Sequence, residues 1–300
     1  MSDRQADWRT LVQAETVAGV LRHAGLVVVD CRFSLADTGQ GERDYIASHI
    51  PGARYAHLDR DLSRPSDDPR DGRHPWPDPH AFARAIAGWG IGPGDQVVAY
   101  DADNGSIAAR LWSLLRSHGH GRVAVLDGGW ARWTALGLPV ESGGEDGLLE
   151  PPGRRSPSPA CRLPQGHPAL SRLLDADEVQ AHLDAGGLLV DARAAPRFHG
   201  EVEPLDRVAG HVPGAVNRPF AANLRDDGRF KAPDELAREF LGLLGDREPA
   251  SLVTMCGSGV TACHHLLAMA HAGLPVGRLY AGSWSGWISD PARPVATGEA

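Results

Sequence analysis

Residues 252–262 have the sequence LVTMCGSGVTA. The apolar residues at its start are typical of a buried strand, and a helical pattern extends from Ala262 to Ala272. Cys256 therefore begins a short glycine-rich turn between a strand and a helix. Inward-pointing N–H groups and a helix N-terminus favour an anion at such a turn, so we expect the Cys256 sulfur to react as a thiolate. The alternative, a buried structural cysteine, fits the small residues of this turn less well.

The size and composition of the chain indicate two domains. Its 300 residues are too many for one ordinary core, and 42% are hydrophobic, which suits two domains of about 130–150 residues each. The formal net charge of −8 offers no basic surface, so we expect neither nucleic acid nor membrane as a partner. Lys231 is the only lysine, which argues against Schiff-base chemistry and against a phosphate-binding Gly-Lys-Ser/Thr loop.

The cysteines, at positions 31, 161, 256 and 263, contain no Cys-x-x-Cys pair. Neither a zinc ribbon nor a dithiol redox motif is indicated, and we expect no metal and no organic cofactor. The N-terminal residues lack the apolar core of a signal peptide, and no stretch reaches about 18 uncharged apolar residues. We therefore expect a cytoplasmic protein, because a reactive thiol persists in that reducing compartment.

The chain contains the same pattern twice. VVVDCR at 27–32 recurs as LLVDAR at 188–193, HIPGA at 49–53 recurs as HVPGA at 211–215, and LDGGWARW at 126–133 matches YAGSWSGW at 280–287. A proline- and glycine-rich stretch separates the copies. We predict a first domain over 1–143, an extended linker over 144–167 and a second domain over 168–300.

Within each half, short aliphatic strands alternate with helical patterns, which predicts an α/β fold with a mainly parallel twisted sheet and helices on both faces. Ligands bind such sheets at the carboxyl ends of strands, where Cys256 lies. The equivalent position of the first half, after VVAY at 97–100, is Asp101. A carboxylate cannot accept and release a sulfur atom, so we expect one catalytic domain and one non-catalytic copy.

These motifs resemble the two-domain rhodanese superfamily over essentially the whole chain. The paired Asp-x-Arg strands, the two His-Ile/Val-Pro-Gly-Ala turns and the cysteine turn occur in the family's order. The resemblance implies two tandem rhodanese-like domains and sulfur transfer through a Cys256 persulfide. The expected acceptors are small thiols, thioredoxin-like proteins or cyanide.

The residues after Cys256 most resemble those of 3-mercaptopyruvate sulfurtransferases. Thiosulfate sulfurtransferases, the alternative, typically place Arg and Lys there to hold a dianion, whereas Gly257 and Ser258 carry no charge. Mercaptopyruvate leaves a pyruvate enolate that must be protonated, and a hydroxyl coupled to a histidine could do this. We expect the N–H groups of the turn to contact substrate, including those of Gly257, Gly259, Val260 and Thr261.

The resemblance also implies a Ser-His-Asp arrangement beside the nucleophile. Ser258 matches the serine, His74 matches the histidine, and Asp59 matches the aspartate, with Asp61 as the fallback. Taken alone, His74 is more typical of a solvated loop residue, and Asp59 is as typical of a turn residue as of a catalytic one.

We expect Arg197 to bind the substrate carboxylate, because it matches the family's first substrate arginine. Its planar guanidinium can donate two hydrogen bonds to one carboxylate. A structural ion pair with Glu201 or Glu203 is the other interpretation. The segment that should carry a second arginine is shortened, and Arg207 is the available substitute.

Two rival functions remain. A cysteine phosphatase or arsenate reductase needs an arginine at the end of its loop, where this chain has Ala262. A non-catalytic rhodanese-like binding module would fit the first half but not a second half that has both Cys256 and Arg197.

Overall fold

The structure, a computed structural model, describes residues 7–143 and 172–299. The predicted linker over 144–167 lies outside the described residues. The chain divides into two compact units. Within the described ranges, the first unit contains residues 7–62 and 77–143, and the second contains residues 63–76 and 172–299. Residues 63–76 therefore pack with the second unit, although the sequence predicted that they belong to the first domain.

The first unit is built on a parallel sheet with strand order β1-β5-β4-β2-β3. Its strands are β1 (Leu11–Val12), β2 (Leu26–Asp30), β3 (Arg54–Tyr55), β4 (Gln96–Tyr100) and β5 (Val123–Leu126). Its helices are α1 (Ala14–Ala18), α2 (Gln40–Ala47), α3 (Pro79–Gly88), α4 (Ala108–Ser117) and α5 (Gly129–Ala135).

Local sequence explains these elements. Strand β4 is buried along its whole length, as expected of a central strand of a parallel sheet. Helix α3 begins at Pro79 because Asp78 accepts hydrogen bonds from the N–H groups of His80 and Ala81. Side chains of α1, α2 and α5 pack on one core cluster with the strands, around Val28, Val98 and Trp133.

The second unit repeats this arrangement with strand order β7-β6-β8-β9, again with parallel pairing. Its strands are β6 (Leu189–Asp191), β7 (Val216–Asn217), β8 (Val253–Met255) and β9 (Arg278–Leu279). Its helices are α6 (Ala176–Asp184), α7 (Ala195–Phe198), α8 (Pro233–Leu244), α9 (Ala262–His271) and α10 (Ser283–Trp287). Short 3-10 helices occupy Pro69–Asp71, Phe220–Asn223 and Pro249–Ser251.

A single parallel bridge between Leu174 and Tyr280 takes the place that β1 has in the first unit. The predicted tandem α/β folds are confirmed. Trp284 and Trp287 of α10 are fully buried in the core of the second unit. Strand β8 and helix α9 lie where the sequence predicted them, on either side of Cys256.

Candidate active site

Backbone and side-chain groups of the second unit enclose Cys256 at the carboxyl end of β8. Its Sγ accepts a hydrogen bond from the Gly259 N–H at 3.1 Å. The Cys256 N–H donates to Ser283 Oγ at 3.1 Å, and its carbonyl oxygen accepts from the Trp284 N–H at 2.9 Å. Only 2% of the residue is exposed. The sulfur is therefore oriented by hydrogen bonds and sheltered from bulk water.

Gly259 makes the tight turn possible. Its φ of +76° lies in the left-handed region, and a Cβ at this position would lie 2.5 Å from the Ala281 carbonyl oxygen. Any side chain would force the turn away from that carbonyl. Glycine is therefore required for the N–H that contacts Sγ.

The turn ends in the first N–H groups of α9, which have no intrahelical acceptor. Within the part of the chain that the structure describes, the N–H groups of Thr261 and Ala262 have no recorded hydrogen-bond partner. The equivalent groups of the first unit bind a carboxylate. There, Asp101 Oδ1 accepts from Gly105 at 2.9 Å, and Oδ2 accepts from Ile107 at 2.8 Å and Ala108 at 3.0 Å.

Ser258 and His74 share a short hydrogen bond. His74 Nδ1 lies 2.7 Å from Ser258 Oγ, and the two residues are 3% and 6% exposed. A hydroxyl and an imidazole at this distance can exchange a proton. Ser258 follows Cys256 by two residues, so the pair is attached to the cysteine turn.

The segment that carries His74 packs tightly against α10. The Arg73 N–H donates to Ser285 Oγ at 3.0 Å. Gly72 has a φ of +78°, and a Cβ there would lie 2.4 Å from the Gly282 carbonyl oxygen. Close backbone approach therefore fixes residues 72–74 on the second unit.

Arg197 takes part in a network of acidic side chains beside the cysteine turn. Its Nε and one terminal nitrogen donate to Glu203 at 3.1 and 2.7 Å, and that nitrogen also donates to Asp206 at 3.1 Å. Burial opposes ionisation of Glu203, but the hydrogen bond from Arg197 lowers the Glu203 pKa below its usual range. Asp206 also accepts from Arg73 at 2.8 Å.

Comparison with known proteins identifies the family. The rhodanese-like domain model matches residues 13–136 and 175–290. A Pseudomonas aeruginosa protein named "Probable 3-mercaptopyruvate sulfurtransferase" is 50% identical over 291 residues, which cover 96% of this chain and 98% of that protein. This chain belongs to the rhodanese family.

Further relatives extend this similarity. A Mycobacterium tuberculosis protein named "Putative thiosulfate sulfurtransferase SseB" is 36% identical over 298 residues, which cover 99% of this chain and 100% of that protein. The solved structure of 3-mercaptopyruvate sulfurtransferase from Leishmania major superimposes with a TM-score of 0.76 at 29% identity, covering 97% of this chain and 77% of the other. This rhodanese is a sulfurtransferase, as the sequence predicted.

The structure shows the surroundings of Arg207 and Asp59, and the expected roles of both residues stay predictions. Arg207 donates to the Ile288 carbonyl oxygen and lines a cavity of about 450 Å³ together with Pro69, Leu205, Asp206, Ser285 and Ser289. Asp59 is an exposed residue of the first unit whose N–H donates to His57 Nδ1 at 3.1 Å. Its partnership with His74 stays a prediction, as does that of Asp61.

Sequence reasoning missed two residues of the site in this rhodanese. Arg73 is an isolated loop arginine that only its neighbour His74 could have drawn attention to. Ser283 has a φ of 51° and is the one non-glycine residue of positive φ in residues 7–143 and 172–299. The repeat gives a signal for it, because the first copy has Gly129 at the matching position, with a φ of 53°.

No helix among the described residues is long and apolar enough to cross a membrane. In the same residues, no group of three or more His, Cys, Asp or Glu side chains is arranged to hold a metal ion.

Proposed function

We propose that this chain transfers a sulfur atom from 3-mercaptopyruvate to Cys256, passes it to a thiol or cyanide acceptor, and releases pyruvate. The observation that carries the proposal is the set of N–H donors around the Cys256 turn. Gly259 donates to Sγ, and the donors of Thr261 and Ala262 correspond to those that bind Asp101 Oδ2 in the first unit. An anionic outer sulfur on Cys256 would take the position that Oδ2 has there. The N–H groups of Gly257 and Val260 belong to the same turn and complete its proposed contacts with substrate.

The first half-reaction forms a sulfur–sulfur bond. The Cys256 thiolate attacks the thiol sulfur of the donor, and the carbon–sulfur bond breaks. Its electron pair passes to carbon, which leaves the enolate of pyruvate. In the second half-reaction an acceptor thiolate attacks the outer sulfur, takes it as a new persulfide and regenerates the Cys256 thiolate.

The enolate needs one proton on carbon. Ser258 Oγ supplies it and regains a proton from His74, whose Nδ1 lies 2.7 Å away. Asp59 is proposed to stabilise the protonated form of His74 before this transfer. The 3% and 6% exposure of His74 and Ser258 limits competition from bulk water.

The donor preference follows from charge. Arg197 binds the carboxylate of the donor, while Gly257 and Ser258 add no cationic side chain of the kind that would hold thiosulfate. Thiosulfate is the competing donor, and the Mycobacterium tuberculosis relative carries its name. The uncharged turn and the Ser258–His74 pair favour mercaptopyruvate, because sulfite leaves thiosulfate without needing a proton on carbon.

We further propose the cytoplasm as the working compartment and a small thiol or thioredoxin-like protein as the acceptor there. Cys31, Cys256 and Cys263 are free thiols. A reducing compartment keeps such thiols available and supplies acceptor thiols.

Mass spectrometry of the protein and of its proteolytic peptides tests the intermediate. After incubation with 3-mercaptopyruvate, the Cys256 peptide should gain one sulfur, about 32 Da, and stoichiometric pyruvate should appear. Cys31→Ala, which removes a buried thiol of the first unit, should leave the gain unchanged, whereas Cys256→Ser should abolish it. A gain on another cysteine, or pyruvate release without Cys256, would refute the proposed intermediate.

Steady-state kinetics test the donor. We expect kcat/KM for 3-mercaptopyruvate to exceed that for thiosulfate when both are measured with the same acceptor. The reverse order would show that thiosulfate is the preferred donor. It would not contradict the proposed persulfide on Cys256.

A further inference from the structure

The guanidinium groups of Arg73 and Arg197 lie beside Gly257, the residue that follows Cys256. A Cβ at Gly257 would lie 3.3 Å from a terminal nitrogen of Arg73 (Nη2), and 3.5 and 3.6 Å from Nη1 and Nη2 of Arg197. Both guanidinium groups therefore lie at contact distance from the place that a side chain of residue 257 would take. Arg207, which the sequence offered as the second arginine, instead donates to Ile288.

Asp206 joins the two guanidinium groups. Its Oδ1 accepts from Arg73 Nη1 at 2.8 Å, and its Oδ2 accepts from Arg197 Nη2 at 3.1 Å. The Asp206 side chain is 5% exposed. A single buried carboxylate therefore sets the spacing of both cations.

Donor groups remain after these ion pairs are formed. In the described ranges, Arg73 Nη2 and Arg197 Nη1 have no recorded hydrogen-bond partner, and Arg73 Nε is buried without one. These two nitrogens, Arg73 Nη2 and Arg197 Nη1, are also the ones nearest a Cβ built at Gly257. Such planar donors match the oxygens of a carboxylate.

We propose that Arg73 is the second substrate-binding arginine of this enzyme. Together with Arg197 it holds the carboxylate of the 2-oxo-acid donor in the space beside Gly257. The inference rests on the proposed function, since it assigns the binding of that donor. One short segment thus delivers two groups to the cysteine turn: the Arg73 guanidinium for binding and the His74 imidazole for proton transfer.

The decisive variants are Arg73→Gln and Arg73→Lys, with Arg70→Gln as the matched control. Arg70 lies in the same segment, but its side chain is 79% exposed and pairs with Asp68. Loss of a charge-assisted hydrogen bond should raise the KM for 3-mercaptopyruvate about 10- to 100-fold in Arg73→Gln and about 3- to 10-fold in Arg73→Lys, with kcat changed less than about 3-fold. Arg70→Gln should match the wild type.

A binding measurement separates this role from a structural one. Titration with pyruvate, the carboxylate product, should show an affinity loss in Arg73→Gln that parallels the rise in KM. An unchanged KM and an unchanged affinity for pyruvate, or a fall in kcat alone, would overturn the assignment, because a merely structural role acting through His74 would lower kcat.

Gly257→Ala keeps the inference testable if the arginine variants do not fold. Its added methyl group would contact both guanidinium groups and obstruct a carboxylate bound between them and the turn, so the KM should rise at least about 10-fold. An unchanged KM in Gly257→Ala would refute the location. Absence of a Cys256 persulfide in the wild-type protein would instead refute the proposed function.

Discussion

The turn at Asp101 and the turn at Cys256 occupy the same place in two copies of one fold, and they differ in where the anion comes from. Gly105 and Gly259 have nearly identical φ values, 78° and 76°, and each donates its N–H to the residue that begins the turn. In the first unit a carboxylate of the chain also occupies the donors at the start of α4. In the second unit we propose that the corresponding donors, the N–H groups of Thr261 and Ala262, bind a group that arrives with the substrate.

This difference shows that the fold by itself makes an anion site, and that one residue decides its use. Asp101 turns the site into a permanent structural contact. Burial raises the pKa of Asp101, while hydrogen bonds from Ala108, Gly105 and Ile107 oppose that rise. We propose that Cys256 instead leaves the site able to bind and release a second sulfur atom.

The turns that follow β5 and β9 differ as well, at Gly129 and Ser283. A Cβ on Gly129 would lie 2.8 Å from the Asp101 carbonyl oxygen and 3.0 Å from the Asp103 nitrogen. Ser283 occupies the position of the second unit that matches Gly129. The turn from Cys256 to Gly259 is also one residue shorter than the turn from Asp101 to Gly105. Its hydroxyl accepts from the Cys256 N–H and donates to the Tyr280 carbonyl oxygen at 3.0 Å. The positive-φ backbone at Ser283 therefore carries the hydroxyl that holds the Cys256 N–H.

Cys256→Asp is the most severe test, since it gives the second turn the residue of the first. Without a sulfur nucleophile, kcat should fall by about 10⁴-fold or more. The new carboxylate can accept from the N–H donors of the turn, so the melting temperature should be no lower than that of Cys256→Ser. Pyruvate release and thermal unfolding measure the two effects. A much less stable Asp variant would show that the two turns are not equivalent anion sites.

Ser258→Ala removes the proton-transferring group that the first turn lacks. Loss of the bond to His74 should lower kcat for 3-mercaptopyruvate about 100-fold, with a much smaller effect on thiosulfate, whose leaving group needs no proton on carbon. Turnover with both donors is measured with a common acceptor. Ser289→Ala, which removes a hydroxyl bonded to the Gly286 carbonyl oxygen, is the control. Equal losses with the two donors would remove Ser258 from the relay.

Ser283→Gly gives the second unit the residue of the first. We expect kcat/KM to fall about 10-fold, because the hydroxyl that accepts from the Cys256 N–H is lost. Ser283→Ala should lose similar activity and about 1 kcal/mol more stability, since alanine keeps a side chain at positive φ. Kinetics and urea unfolding measure these effects. Wild-type kcat/KM in the glycine variant would show that the hydroxyl does not position the sulfur.

Asp101→Asn should have the smallest effect on catalysis. The amide cannot accept from all the donors that bind the carboxylate, so the free energy of unfolding should fall by about 1–3 kcal/mol while kcat/KM stays unchanged. Burial raises the pKa of Asp101 in the folded protein above its value in the unfolded chain. The wild type should therefore gain stability relative to the variant as the pH falls through the folded-state pKa. The gain is complete below the unfolded-state pKa. Urea unfolding at neutral and mildly acidic pH measures this difference. A constant difference would contradict the raised pKa.

Much of this molecule could be predicted from its sequence. The repeated strand motifs predicted both sheets, and the apolar run, glycines and helical pattern around Cys256 predicted β8, the turn and α9. The pairing of Ser258 with His74 came from resemblance, because residues 184 positions apart have no local pattern that links them. Arg207 was chosen for its nearness in sequence to the expected register, but its guanidinium donates to Ile288.

Local sequence determined the two copies of the fold and the two turns with their different first residues, Asp101 and Cys256. The reason is that strand periodicity, glycine turns and side-chain type act over a few residues. Tertiary structure alone decided that residues 63–76 pack with the second unit. It also placed Arg73 beside Gly257 and placed Asp206 where its carboxylate accepts hydrogen bonds from both Arg73 and Arg197. Those contacts depend on close backbone packing of Gly72 against Gly282, a steric fit between distant segments that leaves no period or spacing in the chain.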